Sequence, residues 1–85
     1  MPRVWLVERD VDSRNLVTMT YATPDGERAF TRQAALDSLA RRDGPTAAVD
    51  VEEDRLETVG DPETAARYAE EAERVAERHD PEDSL

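Results

Sequence analysis

The chain has 85 residues, enough for one small domain and too few for a deep cleft between packed layers. It contains no cysteine, which excludes disulfides, thiolate metal sites and cysteine nucleophiles. Its 21 acidic residues outweigh 11 basic ones, for a formal net charge of −10, and no apolar run approaches the roughly 20 residues of a membrane span.

The first apolar run, VWLV at 4–7, stops at Glu8, too early for the apolar region of a signal peptide, so a cytoplasmic chain without membrane contact is the expectation. Residues 3–11 (RVWLVERDV) and 16–22 (LVTMTYA) carry the β-branched, aromatic and large apolar residues of strands. DSRN between them suits a turn in which Asp12 takes the first position and Asn15 tolerates the left-handed conformation. TPDG at 23–26 is a second turn, with Gly26 at positive φ forming a bulge before a third strand, ERAFT. Bulged three-residue loops would put Val11 opposite Val17, Val7 opposite Tyr21, and Tyr21 opposite Ala29. Trp5, Val7, Val11, Val17, Met19, Tyr21 and Ala29 would then form the core face, with Val4, Leu6, Leu16 and Phe30 on the other.

TRQAALDSLARR at 31–42 predicts a first helix, capped by Thr31 and stopped by Gly44–Pro45. Alternation of Val49 and Val51 with Asp50 and Glu52 predicts a strand at 47–52. A tight turn at Glu53–Asp54 and a shorter strand at 55–59 would complete a hairpin. The last helix is the clearest element, with Asp61 as N-cap, Pro62 at the first helical position and Glu63 in the first turn. Ala65, Tyr68, Ala69, Ala72, Val75, Ala76 and His79 fall on one stripe. Asp80–Pro81 ends the helix, leaving residues 80–85 as a frayed acidic tail after a single domain at 1–79. The fold class expected is α+β: a three-stranded antiparallel meander, a helix, a fourth strand or hairpin, and a C-terminal helix packed on the sheet.

All 11 basic residues are arginine, and lysine and isoleucine are both absent. With the acid excess, this composition resembles that of small acidic uncharacterised proteins of extremely halophilic archaea. The resemblance is compositional, spans the whole chain and names no functional family. It implies that the acids keep the surface hydrated in salt. In molar salt the Debye length falls to about 3 Å, so long-range steering toward a basic partner vanishes. The competing explanation is a mesophilic acidic protein such as a nucleic-acid mimic, whose charge would act by steering.

The charge is unevenly placed. Residues 1–45 hold seven arginines and seven acids, whereas residues 46–85 hold four arginines and fourteen acids, the whole net charge of −10. The neutral half either lies more deeply inside the monomer or faces something. A two-sided apolar sheet with few covering helices leaves apolar area, and homodimerisation is the common remedy. Val4, Leu6, Leu16 and Phe30 are therefore the candidate interface. A protein partner other than a second copy is the other possibility for this surface.

No constellation for chemistry stands out. His79 is the only histidine, and the positions that would supply a helical co-ligand are Val75 and Ala76, so a helix-end histidine is the reading and no metal site is assigned. The glutamates of the last helix alternate with arginines, as in the Glu70–Arg74, Arg67–Glu70 and Arg74–Glu77 pairs, which describes a solvated face. The acidic run around Asp50 and Glu52 lacks the calcium-loop pattern, and Ser13, Ser38 and Ser84 lack a nucleophile elbow. No catalytic residue and no cofactor are assigned. A nucleic-acid interface through Arg28, Arg32, Arg41 and Arg42, with Phe30 and Trp5 as stacking platforms, is the alternative. Against it, the arginines of the expected first helix point in different directions, and molar salt weakens phosphate contacts steeply. The function expected is a small, non-enzymatic, salt-adapted interaction or regulatory module that self-associates through the N-terminal sheet.

Overall fold

The computed structural model describes residues 2–37 and 45–85. Among them five strands form one antiparallel sheet: β1 (Arg3–Val11), β2 (Leu16–Ala22), β3 (Arg28–Ala35), β4 (Ala48–Asp50) and β5 (Glu57–Thr58), in the spatial order β4-β1-β2-β3-β5. Helix α1 (Pro62–Arg78) packs on β1 and β2. The α+β class and the β1-β2-β3 meander follow directly from the two turn signals. Asp12 Oδ1 accepts the backbone N–H groups of Arg14 at 2.8 Å and Leu16 at 3.1 Å, and Asn15 takes φ 62°. Gly26 takes φ 72°, and its N–H reaches the Thr23 carbonyl at 2.8 Å.

The register departs from expectation at two places, and the core face changes with it. Thr23 Oγ1 accepts the Arg28 N–H at 3.2 Å while Thr23 N–H reaches the Arg28 carbonyl at 3.0 Å. The second hairpin therefore closes over four residues, Pro24 to Glu27, and Tyr21 pairs with Phe30 rather than Ala29. In the first hairpin Val11 does pair with Val17, but the register shifts between Leu6 and Glu8, so Leu6 and not Val7 lies opposite Tyr21. A bulge of this kind inserts one residue and resets the alternation. One face then carries Val4, Leu6, Val17, Met19 and Tyr21, which with Val51 are the buried core cluster. Trp5, expected in that core, pairs with Ala22 on the opposite face and is only half-buried, while Val11 stays 49% exposed.

Three further expectations are corrected. Residues Thr31–Ala35, read as the start of a helix, continue β3, because seven consecutive pairs with β2 outweigh the mild helix preference of two alanines. The helical backbone begins only at Leu36–Asp37, and the remainder of the expected first helix lies outside the described residues. The expected hairpin at 47–59 does not form. β4 pairs with β1 at one edge, β5 pairs with β3 at the other, and a 3-10 turn at Glu53–Arg55 carries the chain between them. Val51 and Leu56, flanking that turn, pack on the core cluster, which is what draws the segment across the sheet instead of back along it.

The third correction is the C-terminal tail, which is pinned. Ala47 N–H reaches the Asp83 carbonyl at 2.7 Å, Ala48 N–H the Pro81 carbonyl at 3.1 Å, and Leu85 N–H the Pro45 carbonyl at 2.8 Å. Thr46 and Ser84 form an isolated antiparallel bridge. Leu85 packs on the core cluster, and Arg9 Nη1 donates to its carbonyl at 2.9 Å. The tail thus covers the entry to β4 as far as Ala48, a common way to protect part of an edge strand.

Helix α1 begins as its sequence signals: Asp61 caps it, accepting Glu63 N–H at 3.3 Å and the Thr64 hydroxyl at 2.7 Å. Ala72 and Val75 are its buried residues, and Glu8, re-aimed by the bulge, meets Tyr68 Oη at 3.4 Å and Arg67 Nη2 at 3.9 Å. A Cβ on Gly26 would lie 2.7 Å from Ala69 N and closer still to the Ala65 carbonyl oxygen. The hairpin tip and the alanine stripe therefore meet backbone to backbone.

Candidate interaction surface

Of the four residues expected at an interface, two are not on the surface. Val4 is 0% and Leu6 6% exposed, both inside the core cluster, because the bulge at Val7 turns that face inward. Phe30 is half-buried against the same cluster, its ring 6.4 Å from that of Tyr21 and tilted by 35°. Leu16 is half-buried near the first hairpin tip. Arg28 and Arg32 alternate with Phe30 along β3 on one face, Arg28 half-buried and Arg32 exposed, while Arg41 and Arg42 lie outside the described residues. The large apolar side chains most exposed among the described residues are Val11 at 49% and Leu36 at 41%.

The feature that sequence reasoning missed is the outer edge of β3. Bonds from Thr23 N–H to Arg28 O and from Leu36 N–H to Asn15 O bracket the β2–β3 ladder. In an antiparallel ladder every second pair is bonded in the same way. Phe30, Arg32 and Ala34 therefore turn their backbone groups toward β2, and Ala29, Thr31, Gln33 and Ala35 turn theirs outward. β5 uses this outward side only at its start, pairing with Arg28 and Ala29, and Val59 N–H reaches the Glu27 carbonyl at 2.8 Å. From Thr31 to Ala35 the outward side has no strand partner among the described residues, and Thr31, Gln33 and Ala35 are all exposed. Where β5 stops, a hollow of about 340 Å³ opens, lined by Ala29, Phe30, Thr31, Arg55 and Glu57. The edge would have been legible only if β3 had been recognised as running past Thr31.

Titratable groups with shifted pKa values belong to the scaffold. Asp12 is held below the usual carboxylate range by the backbone N–H groups of Leu16 and Arg14. Asp25 is lowered chiefly by the Thr23 hydroxyl, which donates at 2.6 Å, and then by the Glu27 N–H. Asp61 is lowered by the Thr64 hydroxyl and the Glu63 N–H. Burial raises Tyr21 against the opposing pull of Arg32. Each lowered carboxylate fixes a turn or a cap, which is structural work.

The residues considered for chemistry are placed as follows. His79 is the C-cap of α1, with its N–H on the Val75 carbonyl and its Nδ1 3.7 Å from Asp83 Oδ2. Among the described residues no group of three or more metal-ligating side chains comes together. Arg74 pairs with Glu71 at 3.0 Å rather than with Glu70 or Glu77, and Arg67 turns to Glu8. Glu71 is half-buried, and the other acids of the described residues are exposed. No helix among the described residues is long and apolar enough to cross a membrane.

No curated protein and no solved structure matches this chain significantly. A family model does, over residues 1–85: the chain belongs to DUF7967, a family of unknown function.

Proposed function

We propose that this protein is a small non-enzymatic interaction module, adapted to high salt, that self-associates through the open edge of β3. The observation that carries the reading is the run of outward backbone N–H and C=O groups at Thr31, Gln33 and Ala35. It lies in the half of the chain with seven arginines and seven acids and no net charge. Such an edge is a template for another strand, and proteins that remain monomeric usually blunt it with charge, proline or a covering segment. Here the C-terminal tail covers the entry to β4 as far as Ala48, whereas β3 carries Arg32 alone between Thr31 and Ala35. Two copies meeting at β3 join their neutral halves and leave the acidic helix α1 on β1 and β2, while Glu57 of β5 borders the contact beside Arg55.

Light scattering or sedimentation in about 2 M salt, deep in the screened regime, tests the reading. A dimer mass is expected, and a monomer at every accessible concentration overturns it. Fluorescent DNA or RNA gives the competing outcome: binding at that salt that is lost on Arg32→Ala would assign this face to nucleic acid instead.

A further inference from the structure

The edge also specifies how two copies would pair. Resting on the reading of β3 as a self-association edge, we infer that two β3 strands join antiparallel about a two-fold axis at Gln33. Thr31 then lies opposite Ala35, Arg32 opposite Ala34, and Phe30 opposite Leu36.

The argument is one of elimination. Residues that bond across a new ladder must be those whose N–H and C=O already point outward, namely Thr31, Gln33 and Ala35, so odd positions must face odd positions. Centring on Thr31 would put the second copy's Gln33 beside Ala29, where Glu57 of β5 already pairs. Centring on Arg32 sets two guanidinium groups directly opposite each other on one face, which is destabilising. Centring on Ala34 places Arg32 against Leu36 and leaves the hollow beside Phe30 empty. Centring on Gln33 avoids all three, because the position opposite Ala29 falls to Asp37, where the strand has already given way to helical backbone. Arg32 then meets only a methyl group, and the two Gln33 amides, whose Nε2 donates to Thr18 Oγ1 at 3.2 Å within each copy, meet across the axis with a second N–H and the carbonyl oxygen to offer.

A second observation supports the same register independently. Leu36 is one of the two large apolar side chains most exposed among the described residues, at 41%. It directly follows the last residue of β3, where helical backbone begins, and the bond from its N–H to the Asn15 carbonyl at 2.9 Å fixes it at the end of the ladder. With the axis at Gln33, Leu36 of each copy arrives beside Phe30 of the other, at the hollow of about 340 Å³ bordered by Thr31, Arg55 and Glu57. The two-fold axis fills both hollows at once, as an isologous interface requires. Apolar burial at the ends and a backbone ladder at the centre make up the contact.

The chain has no cysteine of its own, so single cysteines report the register directly. In the inferred pairing Gln33→Cys faces its own symmetry mate in a bonded pair with Cα atoms about 5.5 Å apart, within the disulfide range. Arg32→Cys and Ala34→Cys face their mates only diagonally, at about 7–8 Å, too far to bridge. Mild oxidation in about 2 M salt should therefore link Gln33→Cys into a covalent dimer and leave the other two variants unlinked, with circular dichroism verifying that each folds. Linking at Arg32→Cys or Ala34→Cys overturns the register while leaving self-association in place. A wild-type dimer in which none of the three links overturns the edge pairing itself. A wild-type monomer overturns the underlying reading as well. As a second variant, Leu36→Asp changes a residue outside the core cluster and should weaken dimerisation about tenfold or more while circular dichroism shows the monomer still folded; an unchanged dimer would show that Leu36 is not at the contact.

Discussion

Substituting Gly26 with alanine tests the packing of the helix on the sheet at its tightest point. Two separate costs arise there. The backbone at Gly26 has φ 72°, in the left-handed region, where an alanine costs roughly 1 kcal/mol more than glycine. The new Cβ would also meet the backbone of α1, 2.7 Å from Ala69 N and nearer to the carbonyl oxygen of Ala65. Those are main-chain atoms in the interior of a helix, so no side chain can rotate away. The helix or the hairpin must shift, an overpacking cost of about 1–3 kcal/mol. The sum is about 3 kcal/mol, against roughly 4–13 kcal/mol expected for the whole stability of a chain this size. A loss of about 12–24 °C in Tm follows, measured by circular dichroism or calorimetry at fixed salt. Gly60 supplies the control, because a Cβ there meets nothing within 4 Å and its φ is not positive. Gly60→Ala should change stability by less than about 1 kcal/mol, with stabilisation the expected sign. A Gly26→Ala protein within about 4 °C of the wild type would refute the close approach of α1 to the hairpin tip.

Other predictions concern the tail, pH and salt. Leu85→Ala should cost about 1–2 kcal/mol because half-buried Leu85 packs on the core cluster, and an unchanged urea midpoint would mean that the tail is not docked. Asp12, Asp25 and Asp61 all have lowered pKa values in the folded chain, so the stability they contribute is complete above the unfolded carboxylate value, roughly 4, and is lost as pH falls through the folded values. Tm should therefore drop on acidification from about pH 5 to pH 2, and replacing Asp25 by Asn should flatten that drop; an equally steep drop in the variant would contradict the assignment. Fourteen acids against four arginines in residues 46–85 repel one another when unscreened, so Tm should rise between about 0.1 M and about 3 M salt, and a constant Tm would count against the salt-adaptation reading.

What the sequence made legible was punctuation. Asp61–Pro62 at the helix start, Asn15 and Gly26 at positive φ and the three strands of the meander all follow from local chemistry that tertiary contacts reinforce. What it concealed was register. One hydroxyl, that of Thr23, takes the Arg28 N–H and lengthens the second loop, and one extra residue at Val7 resets the first strand. Each is a single-residue displacement, yet side chains alternate with period two, so Val4 and Leu6 moved from the expected surface to the core. The same limitation hid the candidate edge. Thr31–Ala35 has a composition compatible with a helix, and only pairing along the whole of β2 makes it a strand. The opposite placement of β4 and β5 was equally unreadable, since it depends on Val51 and Leu56 finding the core from across the sheet. A frayed tail was expected because 80–85 is acidic and short, but its backbone bonds to residues 45–48 involve partners more than thirty positions away, which no local pattern encodes.

Residue-resolved amide exchange along β3 tests the central claim most directly. Phe30, Arg32 and Ala34 direct their N–H groups to β2 and should be protected at any concentration, whereas Thr31, Gln33 and Ala35 direct theirs outward. If copies pair at this edge, those three amides become protected at high protein concentration in molar salt and lose protection on dilution. Rapid exchange at Thr31, Gln33 and Ala35 at every concentration, with their alternating neighbours still protected, would contradict the account.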